Sequence, residues 1–226
     1  DGFADQAFEL SVLKEAWSGL VQKADWLLLG TIPLASDVFA DALLWTIDKC
    51  FESDIQLAID INWRPTFWDI NSDPTRGPNA DELTKIFELL EKASLLKFSK
   101  EEALWLFNNQ NPSLISKSLP KRPSVIVTDG ASPVRWLIGS FAGETEAFSP
   151  LSVVDTTGAG DAFTAGLLHQ LLLDSSMPAD HKTVESMVRF AAACGALVCG
   201  GPGGIDPQPT SEEVNSFLYA STGGIN

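Results

Sequence analysis

Cysteine is scarce and scattered in this chain: Cys50, Cys194 and Cys199 are the three it has. No CxxC pair occurs, and His169 and His181 are the only histidines, so neither a disulfide framework nor a zinc site is supported. A reducing compartment is the default. Basic residues are few as well, 15 Lys and Arg against 30 Asp and Glu, for a net charge of -15. With no basic stripe to displace phosphate counterions, a nucleic-acid partner is excluded. The longest apolar runs fall well short of a membrane span, so no membrane role is expected. The chain opens on "DGFADQ" rather than Met, and an upstream segment, removed or lacking, is expected.

What is there suffices for one large domain. Hydrophobic residues make up 45% of 226, mean hydropathy is +0.07, and a sizeable core can be buried. "ADWLLLGTIPLA" (24–35) reads as a buried strand and turn, and 36–50 as an amphipathic helix capped by Ser36 or Asp37. "IQLAIDIN" (55–62) is a strand apolar on both faces, as in a parallel sheet. Residues 63–79 form a turn-rich loop. Helices are expected at 80–93 and 100–108, with a strand at 94–99 between them. Strands follow at 124–130 and 134–140. A long helix ends near Leu173, another spans 182–199, and a Gly/Pro-rich loop (200–209) precedes a last helix. Strand and helix alternate at βαβ spacing, which predicts a doubly wound α/β fold: a mostly parallel sheet with helices on both faces, in a single domain. Ligands in such a sheet sit beyond the carboxyl ends of the strands.

The stretch "DTTGAGDAF" (155–163) carries more than a helix start requires. Gly158 and Gly160 permit unusual backbone angles and Ala159 keeps the turn small, so successive N–H groups can converge on one hollow. That hollow lies at the amino end of a helix, where N–H groups are unpaired and the dipole is positive. It suits phosphate oxygens. Asp161 competes there with an anion unless it has a second task, taking a proton from an attacking hydroxyl while the amides hold the phosphate. On spacing alone the stretch also fits a capped helix and a tight turn with no chemistry.

Taken whole, "DTTGAGDAF" followed by "TAGLLHQLL" resembles the signature of the PfkB (ribokinase-like) family of carbohydrate kinases. "IDINWRPTFW", "LLKFSKEEALWLF", "VIVTDGASP" and "RFAAACGALVCGGPGGIDPQPT" resemble further family segments in the same order. The wording is most like plant and cyanobacterial fructokinases. The resemblance implies a catalytic base at Asp161 and an anion hole from the amides of Gly158, Ala159 and Gly160. Glu102 falls on the Glu of the family's Asn-x-x-Glu motif, which helps hold Mg²⁺ through water, with Ser99 standing where the family has Asn. The alternative for Glu102 is an exposed helix carboxylate. Thr157 and the carbonyl of Asp155 fall where relatives often bind a monovalent cation such as K⁺, and Gly203 aligns with a loop glycine of that region.

Thr128 and Gly130 are expected to face ATP, or else to make an ordinary hairpin turn. Alternation puts Asp60, Asn62 and Arg64 on one side of an extended segment, with Asn62 and Arg64 reaching phosphate. The alternative has Asp60 and Arg64 tying down a loop while Trp63 and Trp68 fill core. Cys194 and Ala191 lie on the helix that lines the adenine pocket in the family, although a small buried apolar role suits Cys194. His169 is given no role.

The family's opening strand, sugar-binding residues and β lid are not recognisable before Ala24. The expectation is a longer protein, or a truncated relative that has lost activity, with a homodimer or a partner covering the strand edge that missing strands would expose. The implied activity is transfer of a phosphoryl group from ATP to D-fructose, giving D-fructose 6-phosphate. The rivals are a 2-keto-3-deoxygluconate kinase and a catalytically silent scaffold subunit. A plastid or the cytoplasm is the expected compartment.

Overall fold

The computed structural model describes residues 9–148, 152–173 and 178–221. Its six strands are ordered β1-β2-β3-β4-β5-β6, numbered along the chain. The chain divides into two compact units, 1–127 and 128–226.

In the first unit, α1 (Leu10–Val21) leads to β1 (Trp26–Leu29), a 3-10 turn (Ile32–Ala35) and α2 (Asp37–Glu52). Then come β2 (Gln56–Asp60), α3 (Pro65–Trp68), α4 (Ala80–Leu90), β3 (Leu95–Ser99), α5 (Lys100–Phe107) and α6 (Pro112–Ser118). The last strand, β4 (Ser124–Asp129), crosses the boundary between the units. β1 pairs with β2 and β2 with β3, all parallel. Leu57, Ala58, Ile59 and Asp60 of β2 are buried one after another, as a parallel strand covered on both faces requires. Ile47, Leu57, Ile59, Leu90, Leu96, Phe98, Val125 and Val127 belong to one core around them. Each Å² of apolar surface this cluster removes from water contributes about 25 cal/mol to the unit's stability.

Two capping boxes set helix starts. Asn79 accepts from the amides of Asp81 and Glu82 at the head of α4, and Glu82 Oε2 accepts in return from the amide of Asn79. Ser99 and Glu102 repeat the arrangement at α5. Each satisfies backbone donors that a helix start leaves unpaired.

The second unit holds β5 (Ser132–Ile138) and β6 (Phe141–Thr145), which pair antiparallel, then α7 (Ala159–Leu173), α8 (His181–Val198) and α9 (Ser211–Ser221). Gly166 lets α7 and α8 approach closely: a Cβ there would stand 2.7 Å from Cys194 Sγ. Trp136 is buried, and its ring N–H donates to Thr145 Oγ1 at 2.9 Å.

Four elements go beyond the sequence expectation: α1, α3, α6 and β6. Beside the parallel pairs, β5 and β6 form an antiparallel hairpin closed at Gly139 (φ 58), within the mostly parallel arrangement expected. Among the described residues no helix is long and apolar enough to cross a membrane.

Candidate functional site

The turn before α7 is built by interlocking two loops of the second unit. Asp155 Oδ1 accepts from the amide of Thr157 at 2.9 Å and from its hydroxyl at 2.7 Å. Asp155 Oδ2 accepts from the amide of Gly203 at 3.0 Å. These donors hold the Asp155 carboxyl below its usual pKa, the Thr157 amide most of all. Gly158 has φ 81, and a Cβ on it would lie 2.7 Å from Gly204 Cα, so two glycines meet where the loops cross. Only glycine serves at Gly158, for conformation and for space alike.

Past that contact the helix begins. The first bond of its ladder outside the turn runs from the amide of Ala162 to the carbonyl of Gly158, at 2.8 Å. The amides of Gly160 and Asp161 therefore precede the ladder, at the positive end of a 15-residue helix. Gly160 and Asp161 are exposed while Ala162, Phe163 and Thr164 behind them are buried. A cavity of about 310 Å³ opens here, with Thr156, Ala159 and Gly160 on one side and Thr128, Gly130, Phe148 and Gly195 among its other walls. Its lining is mostly apolar side chains and glycine, with Thr128 and Thr156 the polar ones, the composition of a small-molecule site.

The structure thus brings Thr128, Gly130, Ala159 and Gly160 to one cavity and keeps Asp155, Thr157, Gly158 and Gly203 as the framework of the turn. Gly130 has φ 53 and nothing within 4 Å of its would-be Cβ. Cys194 corrects an expectation. It does not line this cavity; Ala192, Gly195, Ala196 and Cys199 of the same segment do, at helical spacing of three and four. Cys194 instead borders a smaller cavity of about 160 Å³ with His169, Phe190 and Ser211. Burial pushes its thiol up to about 11.

The remaining sequence-derived residues lie in the first unit, at the carboxyl end of β2 and the amino end of α5. Glu102 is 6% exposed, not the surface carboxylate that its neighbour Glu101 suggested. Its Oε1 accepts from the amide of Trp63 at 2.8 Å, and its Oε2 from the amide of Ser99 at 2.7 Å. Burial pushes its carboxyl up despite both bonds. Ser99 accepts from the amide of Glu102 at 3.2 Å. Serine and asparagine are both strong N-caps, so the departure from the family's Asn preserves a cap.

The expected one-sided row of Asp60, Asn62 and Arg64 does not form. β2 ends at Asp60, and Asn62 turns into the left-handed region (φ 44), which breaks the alternation. Asp60 pairs not with Arg64 but with Lys97, whose Nζ lies 3.0 and 3.1 Å from the two carboxylate oxygens. Arg64 is exposed and donates to the carbonyl of Trp63 at 2.9 Å. Trp63, 4% exposed, does fill core. Lys97 went unremarked in the sequence, although the signal was present: a lysine inside the apolar strand "LLKFS" must find a buried carboxylate. Among the described residues no group of three or more His, Cys, Asp or Glu stands ready to hold a metal ion.

Known proteins resemble this chain in sequence and fold. The chain is 33% identical over 204 residues to "Probable fructokinase-6, chloroplastic" of Arabidopsis thaliana, covering 88% of this chain and 50% of that protein. It is 30% identical to "Probable fructokinase-2" of the same plant, over 88% of this chain and 59% of that one. The chain thus spans about half the length of the curated relatives it matches. Among solved structures, the fructokinase of Xylella fastidiosa with bound ATP superposes with a TM-score of 0.81 at 25% identity, over 97% of this chain and 68% of that one. The fructokinase of Vibrio cholerae, bound to fructose, ADP and calcium ion, gives 0.72 at 26%, over 87% and 61%. The family model for pfkB family carbohydrate kinases matches residues 4–211, across both units. On that match and these likenesses, the chain belongs to the pfkB family of carbohydrate kinases.

Proposed function

We propose that the protein is an ATP-dependent sugar kinase acting on D-fructose, and that the whole chain is one ribokinase-like piece of it. The observation that carries the reading is the α7 start: exposed Gly160 on a cavity of about 310 Å³, beside amides that precede the helix ladder, with exposed Asp161 next in the chain and outside the cavity's lining. The likeness to fructokinases, two of them solved with ATP or with fructose and ADP, supports the same substrates.

In this reading Asp161 takes the proton from a primary hydroxyl of the sugar as that oxygen attacks the γ-phosphorus in line. The amide of Ala159 donates to the carbonyl of Thr156 at 3.2 Å, so of the expected three the amides of Gly158 and Gly160 receive the charge that builds on the transferring group; such donors contribute on the order of a hundred- to a thousandfold in rate. Thr128 and Gly130 face the nucleotide, and Asn62 and Arg64 meet phosphate. Glu102 fits a Mg²⁺ held through water, since each of its hard oxygens accepts one backbone N–H and keeps another lone pair. Bound there, the ion supplies neutralisation of phosphate charge. Thr157 and the Asp155 carbonyl are assigned to a monovalent cation, and Gly203 to the loop that faces it. The chloroplastic relative supports a plastid address; the cytoplasm is the other.

Turnover by the full-length protein, measured by coupled ADP release with fructose, 2-keto-3-deoxygluconate and ribose, tests the proposal. Fructose is expected to give the highest kcat/KM. Preference for 2-keto-3-deoxygluconate moves the substrate. No turnover on any sugar, with stable co-purification of large partners, makes the protein a scaffold.

A further inference from the structure

The cavity of about 310 Å³ in the second unit has one wall suited to phosphate and others that are hydrocarbon. Gly160 brings to it an amide that precedes the α7 ladder and the positive end of that helix. A chain of phosphates belongs there, because stripping its charges of water against hydrocarbon is costly. The remainder is lined by Val134 of β5, Phe148, Phe163 of α7, and Ala192 and Ala196 of α8, among others. A nucleotide anchored by its phosphates leaves its base to that remainder.

Phe148 is fixed there from two helices. Its ring meets Phe217 of α9 edge to face, with centroids 5.2 Å apart and planes at 70°. The guanidinium carbon of Arg189 on α8 lies 5.0 Å from its centroid. A ring held in this way offers apolar contact to a planar ligand with little further ordering to impose.

Side chains that could read the base by hydrogen bonds are nearly missing. Among the described residues that line the cavity there is no Asn, Gln, Asp, Glu, Lys, Arg or His. Cys199 donates its thiol to the carbonyl of Gly195 at 3.3 Å, and the backbone of α8 is spent on its own helix. Thr128 and Thr156 bring hydroxyls, each able to donate or to accept. Such a hydroxyl serves the 6-amino group of adenine, a donor, as well as the 6-oxo group of hypoxanthine, an acceptor. A site built of fixed donors and acceptors rejects the wrong partner by about 10⁴–10⁵, whereas an apolar pocket discriminates only by about 10–200-fold.

We propose that the base of the nucleotide lies against Phe148, and that the protein selects its nucleotide by the phosphates and not by the base, taking hypoxanthine in place of adenine. This deepens the kinase reading above and rests on it for the ligand.

Calorimetric binding of ADP, inosine diphosphate and inorganic tripolyphosphate to the full-length protein, without sugar, tests it. Inosine diphosphate is expected to bind within about tenfold of ADP, and a wider gap overturns the proposal. Phe148→Ala is expected to weaken both nucleotides alike, by about tenfold or more, the contribution of one base–ring contact, while tripolyphosphate binds as it does to the wild type. A merely structural Phe148 weakens all three ligands together. That result overturns the proposal, as does unchanged binding of both nucleotides. Should Phe148→Ala fail to fold, Phe148→Leu keeps an apolar side chain without the ring and carries the same comparison. Turnover separates this proposal from the reading beneath it. A protein that binds both nucleotides alike but phosphorylates no sugar overturns the kinase reading and supports this one. A protein that phosphorylates fructose from ATP yet does not bind inosine diphosphate overturns this proposal alone, and one that binds no nucleotide overturns both.

Discussion

Replacing Gly158 by alanine tests whether the two loops before α7 interlock as described. Two costs are separable at this position. Its φ of 81 lies in the left-handed region, which costs an alanine about 1–2 kcal/mol. The added Cβ would stand 2.7 Å from Gly204 Cα, a backbone atom that cannot rotate aside. Forcing a group into such space costs about 1–3 kcal/mol more. Together these give about 2–5 kcal/mol, or a fall in Tm of roughly 4–20 °C for a chain of this size. Gly203→Ala is the control. Its φ of 74 imposes the conformational cost, but its Cβ would meet nothing within 4 Å, so Tm should fall by only about 2–8 °C. The assay is thermal unfolding of both variants beside the wild type. If Gly158→Ala melts within about 2 °C of the wild type, or no lower than Gly203→Ala, the crossing of the loops is wrong.

Substitutions at two other positions probe the frame of the first unit. Glu82 accepts two bonds from Arg76, each 2.7 Å, and the first of its pKa influences, that hydrogen bonding, holds its carboxyl below the ordinary 4.5. A depressed pKa means the stabilisation is present above about pH 4.5 and fades as pH falls through the lower folded value. Glu82→Gln should therefore cost about 1–3 kcal/mol at pH 7, with the gap to wild type shrinking in acid; urea unfolding at both pH values checks it. Ser99→Ala should cost about 1 kcal/mol by loss of the α5 cap, whereas Ser99→Asn should be near neutral in the same measurement.

What the sequence made legible followed from strong periodicity and from glycine. The apolar runs "IQLAIDIN" and "SVIVTDG" are β2 and β4, and the helix after "DTTGAGDAF" is α7, because a buried strand or helix has little freedom in what it may contain. The tight turn at the α7 start was legible from Gly158, whose φ of 81 glycine takes readily, whereas Gly160 adopts no positive φ. Helix α1 was not, since it has no buried residue to mark a face. Helix α6 did announce itself through Asn111 and Pro112, a cap and a first-turn proline, but it is only seven residues long. The row of Asp60, Asn62 and Arg64 failed because alternation holds only while the backbone stays extended, and Asn62 does not. Lys97 shows the general difficulty: its charge is plain in the sequence, while its partner comes from the strand register 37 residues away.

The most direct measurement is phosphoryl transfer by Asp161→Asn. Asp161 is exposed at the first turn of α7, so the variant should fold and bind ATP as the wild type does. The account predicts a kcat lower by about a hundred- to ten-thousandfold with the nucleotide dissociation constant little changed, the loss of a general base alone. Fructose phosphorylation at the wild-type rate in Asp161→Asn would contradict it.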